Sequence, residues 1–206
     1  MITEQVWIVD DDSSIRWVLE KSFASANISA FSFDNAQAML DALVHGQPQV
    51  IISDIRMPNI DGLTLLTKVH TEYPDIPIII MTAHSDLDSA VNAYQGGAFE
   101  YLPKPFDIDE AVNLTKRAVE HSKKRSGKLT NKQSQPASEI IGEAPAMQEV
   151  FRAIGRLSRS SVSVLINGQS GTGKELVAHA LHKHSPRKEQ TFVALNMAAI
   201  PKDLIE

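Results

Sequence analysis

The chain has 206 residues, 43% of them hydrophobic and 22% charged, with a formal net charge of −5 and no cysteine. That balance belongs to an ordinary globular protein, and it excludes disulfides, thiolate metal sites and general nucleic-acid binding driven by positive charge. No apolar run reaches the length of about eighteen residues that a membrane helix needs, and Met1–Gln5 lacks the start of a signal peptide, so a cytoplasmic protein without a membrane partner is expected.

Short apolar runs at Val6–Val9, Ala30–Phe33, Val50–Ser53, Ile76–Met81 and Phe99–Leu102 alternate with helix-length amphipathic stretches near 13–25, 35–45, 63–72, 86–95 and 107–121. Alternating strands and helices predict a parallel sheet covered on both faces. Ile78–Met81 has no polar alternation, as expected of a strand buried on both sides. Ser13 or Asp12 can cap the first helix, and Asp86 falls in the first turn of the fourth. Five such units over residues 1–122 predict an α/β, flavodoxin-like doubly wound fold with a five-stranded parallel sheet.

Residues 123–138 turn polar and include Lys123, Lys124, Arg125, Lys128 and Lys132, a composition that reads as a solvated, flexible linker. Periodicity returns from 139 to 206, with a helix expected at 145–157, a strand at 162–166, a glycine-rich turn, a helix at 174–183 and a second apolar run at 191–195. This second unit is too short to bury a core of its own. It reads as the first part of a larger α/β domain in a longer protein.

Ligands in an open α/β sheet bind beyond the carboxyl ends of its strands. Asp10, Asp11 and Asp12 follow the first predicted strand, Asp54 the third, Thr82 the fourth and Lys104 the fifth. Clustered carboxylates repel one another and call for a counter-charge, which a hard cation such as Mg2+ supplies through oxygen ligands. Asp54 projects from the middle of that edge and is the candidate nucleophile for a phosphoryl group. Lys104 offers a positive charge to a phosphate oxygen, and Thr82 can hydrogen-bond another. The bland alternative has Asp11 and Asp12 merely capping the first helix. His84 and His121 have no partner at ligand spacing and are read as ordinary surface residues.

Gly168-Gln169-Ser170-Gly171-Thr172-Gly173-Lys174 follows an apolar run and opens a helix, and it fits the first seven positions of a P-loop for ATP. Its glycines let backbone N–H groups wrap phosphates, with Lys174 reaching the outer ones. Glu175 stands where the general pattern has Ser or Thr.

Val9-Asp10-Asp11, Ser53-Asp54-Ile55-Arg56-Met57-Pro58 with Asp61-Gly62, Met81-Thr82-Ala83 and Lys104-Pro105-Phe106 together resemble a response-regulator receiver domain. The resemblance implies phosphorylation of Asp54 by a sensor histidine kinase. It also implies Mg2+ held by Asp10, Asp11, Asp54 and the backbone carbonyl of Arg56, although the triple Asp leaves the register open. Tyr101 matches an aromatic switch that moves with Thr82, and the Lys104–Pro105 bond is expected to be cis. Ile140-Ile141-Gly142-Glu143, the Met147–Arg159 segment and the P-loop with Glu175 resemble the AAA+ domain of sigma-54-dependent enhancer-binding activators. Gln169 departs from the Glu usual there. Ala98–Glu110 and Gly155–Ser160 add a likeness to the nitrogen regulators of that class.

That class implies self-association, and contacts with sigma-54 RNA polymerase and enhancer DNA only through regions beyond these residues. As it stands the chain is expected to be no enzyme. The competing reading is a Mg2+-dependent phosphatase or phosphotransferase using an aspartyl-phosphate. Those enzymes place a second acid two positions after the nucleophile, where this chain has Arg56.

Overall fold

The computed structural model describes residues 5–83, 87–125 and 145–195. In chain order the elements are β1 (Val6–Val9), α1 (Ser13–Ser25), β2 (Ala30–Phe33), α2 (Ala36–Leu43), β3 (Val50–Asp54), α3 (Gly62–Glu72), β4 (Ile78–Thr82), α4 (Leu87–Gln95), β5 (Glu100–Pro103), α5 (Ile108–Arg125), α6 (Pro145–Leu157) and α7 (Lys174–Lys183). The five strands form one parallel sheet in the order β2-β1-β3-β4-β5. Chain order reverses at β1 and β3, which places the switch point of the doubly wound design between Val9 and Ser53, partners across that strand pair.

Period-two alternation divides the strand side chains between two cores. Trp7, Val9, Ile51, Ile78, Ile80 and Tyr101 face one way and pack under α2, α3 and α4. Val6, Ile8, Ile52, Ile79, Met81 and Leu102 face the other way and pack under α1 and α5. Side-chain caps open α1, α2, α3 and α5: Asp12 accepts from Ser14 N, Asn35 from Ala38 N, Asp61 from Thr64 N and Asp107 from Asp109 N. Of the two residues proposed to cap α1, Asp12 does so.

Two expectations are corrected. α5 continues to Arg125, so the helix takes in the first three residues assigned to the linker. Its amphipathic face keeps the turn going while Lys123 stays exposed. The strand expected at 162–166 does not form, and the apolar run at 191–195 is not a strand either. A strand needs a neighbour to pair its backbone, and neither run finds one among the described residues; Val162 is 61% and Leu165 85% exposed. The expectations for Asp86 and His84, and most of the linker, lie outside the described residues.

The helices of the C-terminal segment do form, and α6 packs on α4 and β5. Phe151 and Ile154 enter the core under α4, while Arg152 pairs with Glu110 at 2.6 Å. Gly155 lies flat on the Tyr94 ring, where an added methyl would sit 2.3 Å from ring carbon Cδ2. Arg159 donates to the Tyr94 carbonyl at 3.4 Å.

Candidate functional site

The carboxyl ends of β1, β3, β4 and β5 meet at one rim. Asp10 directly follows β1, Asp54 ends β3, Thr82 ends β4, and Lys104 follows β5. The Lys104 amide donates to Thr82 O at 2.7 Å, and the Lys104–Pro105 bond is cis. From there Lys104 Nζ reaches back across the rim, donating to Asp10 Oδ2 at 2.7 Å and to Asp54 Oδ1 at 2.6 Å. The far oxygens are held by backbone: Asp12 N donates to Asp10 Oδ1 at 2.9 Å, and Arg56 N to Asp54 Oδ2 at 2.7 Å. Asp10 and Asp54 are buried, so their geometry is fixed on every side.

The charges respond to that setting. Burial raises the Asp10 pKa, and the bonds from Lys104 and the Asp12 amide only partly oppose it. Burial works against the Lys104 ammonium, but its hydrogen bonds to Asp10 and Asp54 outweigh the loss and its pKa rises. Asp12 is exposed, and the Ser14 amide it caps lowers its pKa. Thr82 and Tyr101 are both buried beside this rim, Tyr101 completely.

The three aspartates of the opening motif therefore part company. Asp10 points inward, Asp12 caps α1, and Asp11 faces solvent, lining an open cleft with Ile55, Arg56, Met57, Pro58 and Asp61. Among the described residues no three His, Cys, Asp or Glu side chains converge closely enough to hold a metal ion. The donor chemistry still fits Mg2+. Two buried carboxylates, Asp10 and Asp54, share a single ammonium while Asp11 stays exposed, and Mg2+ needs only one or two protein carboxylates because it keeps several waters.

The glycine-rich turn is exposed and closed on itself. Lys174 Nζ donates to the carbonyls of Gly168 at 2.9 Å and Gln169 at 2.6 Å, and Thr172 Oγ1 donates to Gln169 O at 2.8 Å. Gly171 and Gly173 hold φ of 80° and 83°, the left-handed conformation that suits glycine. Ser170 lies within the same turn, and Glu175 stands exposed in the first turn of α7. The turn is thus closed around Lys174, whose amine is occupied by the loop's own oxygens.

Comparison with known proteins decides the family. Residues 6–116 match the model for the response regulator receiver domain, and residues 140–206 match that for the sigma-54 interaction domain. The chain belongs to the response regulator receiver family. Over 201 residues it is 64% identical to the DNA-binding transcriptional regulator NtrC of Escherichia coli (strain K12), covering 98% of this chain and 43% of that one. The chain therefore spans less than half the length of that relative. The solution structure of the apo receiver domain of nitrogen regulatory protein C covers 59% of this chain and 98% of its own, at 59% identity and a TM-score of 0.53. The crystal structure of NtrX from Brucella abortus in complex with ATP matches 98% of this chain and 45% of its own, at 28% identity and a TM-score of 0.57.

Sequence reading missed several residues of the receiver. Arg16 on α1 donates to the carbonyls of Asp10 at 2.7 Å and Asp11 at 3.1 Å, pinning the β1–α1 loop. Gly62 sits so close to Asp54 that a methyl there would lie 2.1 Å from the Asp54 carbonyl oxygen. Asp-Gly at 61–62 was a readable signal, being both helix cap and close approach. Buried Glu100 accepts from Tyr94 Oη and, at 3.1 Å, from Arg117. Nothing in local spacing announces that network.

Proposed function

We propose that this chain is the regulatory part of a two-component transcription activator, switched by a phosphoryl group on Asp54. The observation that carries the reading is the Lys104 ammonium held between Asp10 and Asp54 at 2.7 and 2.6 Å. Asp54 presents Oδ1 to that amine and Oδ2 to the Arg56 amide, so its carboxylate is oriented before any donor arrives. On attack by Asp54 the phosphoryl group leaves its donor and brings up to about two negative charges to the rim. Lys104 can then turn from Asp54 to a phosphate oxygen, and Thr82, one strand away, can donate to another. Mg2+, when bound by Asp10, Asp11, Asp54 and the Arg56 carbonyl, supplies the positive charge that phosphoryl transfer otherwise lacks.

Residues 1–122 form the receiver in this reading, residues 123–138 the connection whose first residues extend α5, and residues 139–206 the opening of an AAA+ domain. A sensor histidine kinase supplies phosphate. The edge from Thr82 to Tyr101, including α4, carries the change. ATP bound at Gly168, Ser170, Gly171, Thr172, Gly173, Lys174 and Glu175 would power a self-associated form that acts on sigma-54 polymerase and nitrogen-assimilation promoters from enhancer DNA. The 64% identity to NtrC supports that assignment and a cytoplasmic location. No helix among the described residues is long and apolar enough to cross a membrane.

Incubation with acetyl phosphate and Mg2+ tests the reading. One long-lived phosphoryl adduct, lost in Asp54→Ala, is the expected result. Rapid release of phosphate with steady turnover would favour the phosphatase instead, a reading that Arg56, in the place of its second acid, disfavours. Labelling that survives Asp54→Ala would end both.

A further inference from the structure

The junction between α4 and the end of α7 holds an unmet polar pair. His184 caps the C-terminus of α7, its backbone N–H donating to Ala180 O at 3.0 Å, and it is only 2% exposed. Its Nε2 faces Asp88 Oδ1, in the first turn of α4, across 3.9 Å. Among the described residues neither ring nitrogen of His184 nor Asp88 Oδ1 has a hydrogen-bond partner. Buried polar atoms are nearly always paired, because giving up water for nothing is unfavourable. Burial lowers the His184 pKa, the Asp88 charge opposing it and Lys183 adding to it. The ring is therefore neutral near pH 7, and with its proton on Nε2 it is a donor matched to a carboxylate acceptor.

The gap is about 1 Å wider than an ordinary hydrogen bond. The helices on either side are already seated: α6 lies on α4 through Gly155 and Tyr94, and α7 packs on α6. A small shift of the first turn of α4 toward α7 would satisfy two buried atoms at once. We propose that His184 and Asp88 form an open latch that closes when α4 moves, so that α7, which begins at the phosphate-binding Lys174, responds to the state of the receiver. The latch rests on the reading of Asp54 as phosphoacceptor and adds a route from that site to the P-loop. Because such coupling is reciprocal, whatever holds α7 in place also biases α4.

Beryllofluoride with Mg2+ is a phosphoryl mimic, and amide hydrogen exchange on the full 206-residue chain reads both ends. In the unaltered chain, exchange slows at residues 54–62 and also at 178–184, the latter on the order of tenfold. His184→Phe, which fills the same space without polar atoms, keeps the first response and loses the second. Asp88→Asn retains an acceptor oxygen and keeps part of the second; Asp88→Ala loses it, and serves if the Phe variant does not fold. Silence at both regions overturns the phosphoacceptor reading and the latch with it. A response at 54–62 with none at 178–184, or an undiminished α7 response in His184→Phe, overturns the latch alone.

Discussion

Both halves of the chain carry the same alternation of apolar runs and amphipathic helices, yet only the first becomes a sheet. Each run from Val6 to Pro103 lies beside a parallel neighbour in register. The runs at 162–166 and 191–195 lie as coil, with Leu165 85% and Leu195 71% exposed. The helices of both halves form. A helix closes its own backbone hydrogen bonds and needs only somewhere to lay its apolar face, which α6 finds on α4; a strand borrows half its bonding from another strand. The apolar pattern specifies which face a segment buries, but for a strand it specifies nothing until the neighbour is there.

The contrast can be broken most directly by trimming equivalent side chains in each half. Ile80→Ala, at a fully buried position in β4, should cost about 2–5 kcal/mol in chemical denaturation. Leu165→Ala should change stability by less than about 0.5 kcal/mol, being mostly in solvent already. Comparable losses in the two variants would mean that the C-terminal run is packed after all.

Lys104→Met probes the rim of the ordered half and should cost about 1–3 kcal/mol at neutral pH, since two buried carboxylates lose their shared donor. Its pH dependence has a definite sign. A lysine whose pKa is raised in the fold adds stability in full below the free value of 10.5, and loses it as pH climbs through the folded value. The denaturation midpoints of the Met variant and the unaltered chain should therefore converge in alkali. A gap that stays constant across that range would mean the lysine contributes by packing alone.

Gly62→Ala should cost about 1–3 kcal/mol and also slow phosphoryl uptake, because a methyl there collides with the backbone of Asp54 itself. Unchanged labelling alongside a lowered melting temperature would separate the glycine's packing from the site. Within the receiver a smaller effect is expected of Asn35→Ala, the cap of α2, at about 1 kcal/mol with labelling intact.

Most of the receiver was legible because its signals are local. Apolar runs, cap residues and polar strand ends all sit within a few positions of what they determine, so the sequence alone assigns Asp10, Asp54, Thr82 and Lys104 to one rim. The roles within Asp10-Asp11-Asp12 were not legible, since three identical side chains differ only in which way the loop turns them. Arg16 was missed because a surface-patterned arginine gives no sign that it grips carbonyls of the preceding loop. The seat of α6 on α4 was equally hidden. It depends on Gly155 meeting the ring of Tyr94, far earlier in the chain, and no periodicity spans such a distance.

The amine at the rim comes from 94 positions beyond one of its carboxylates and 50 beyond the other. An unfolded or misassembled copy has the same aspartates and the same lysine but never brings them within reach of each other. With Asp54 as the proposed phosphoacceptor, competence to take up phosphate is thereby tied to correct assembly.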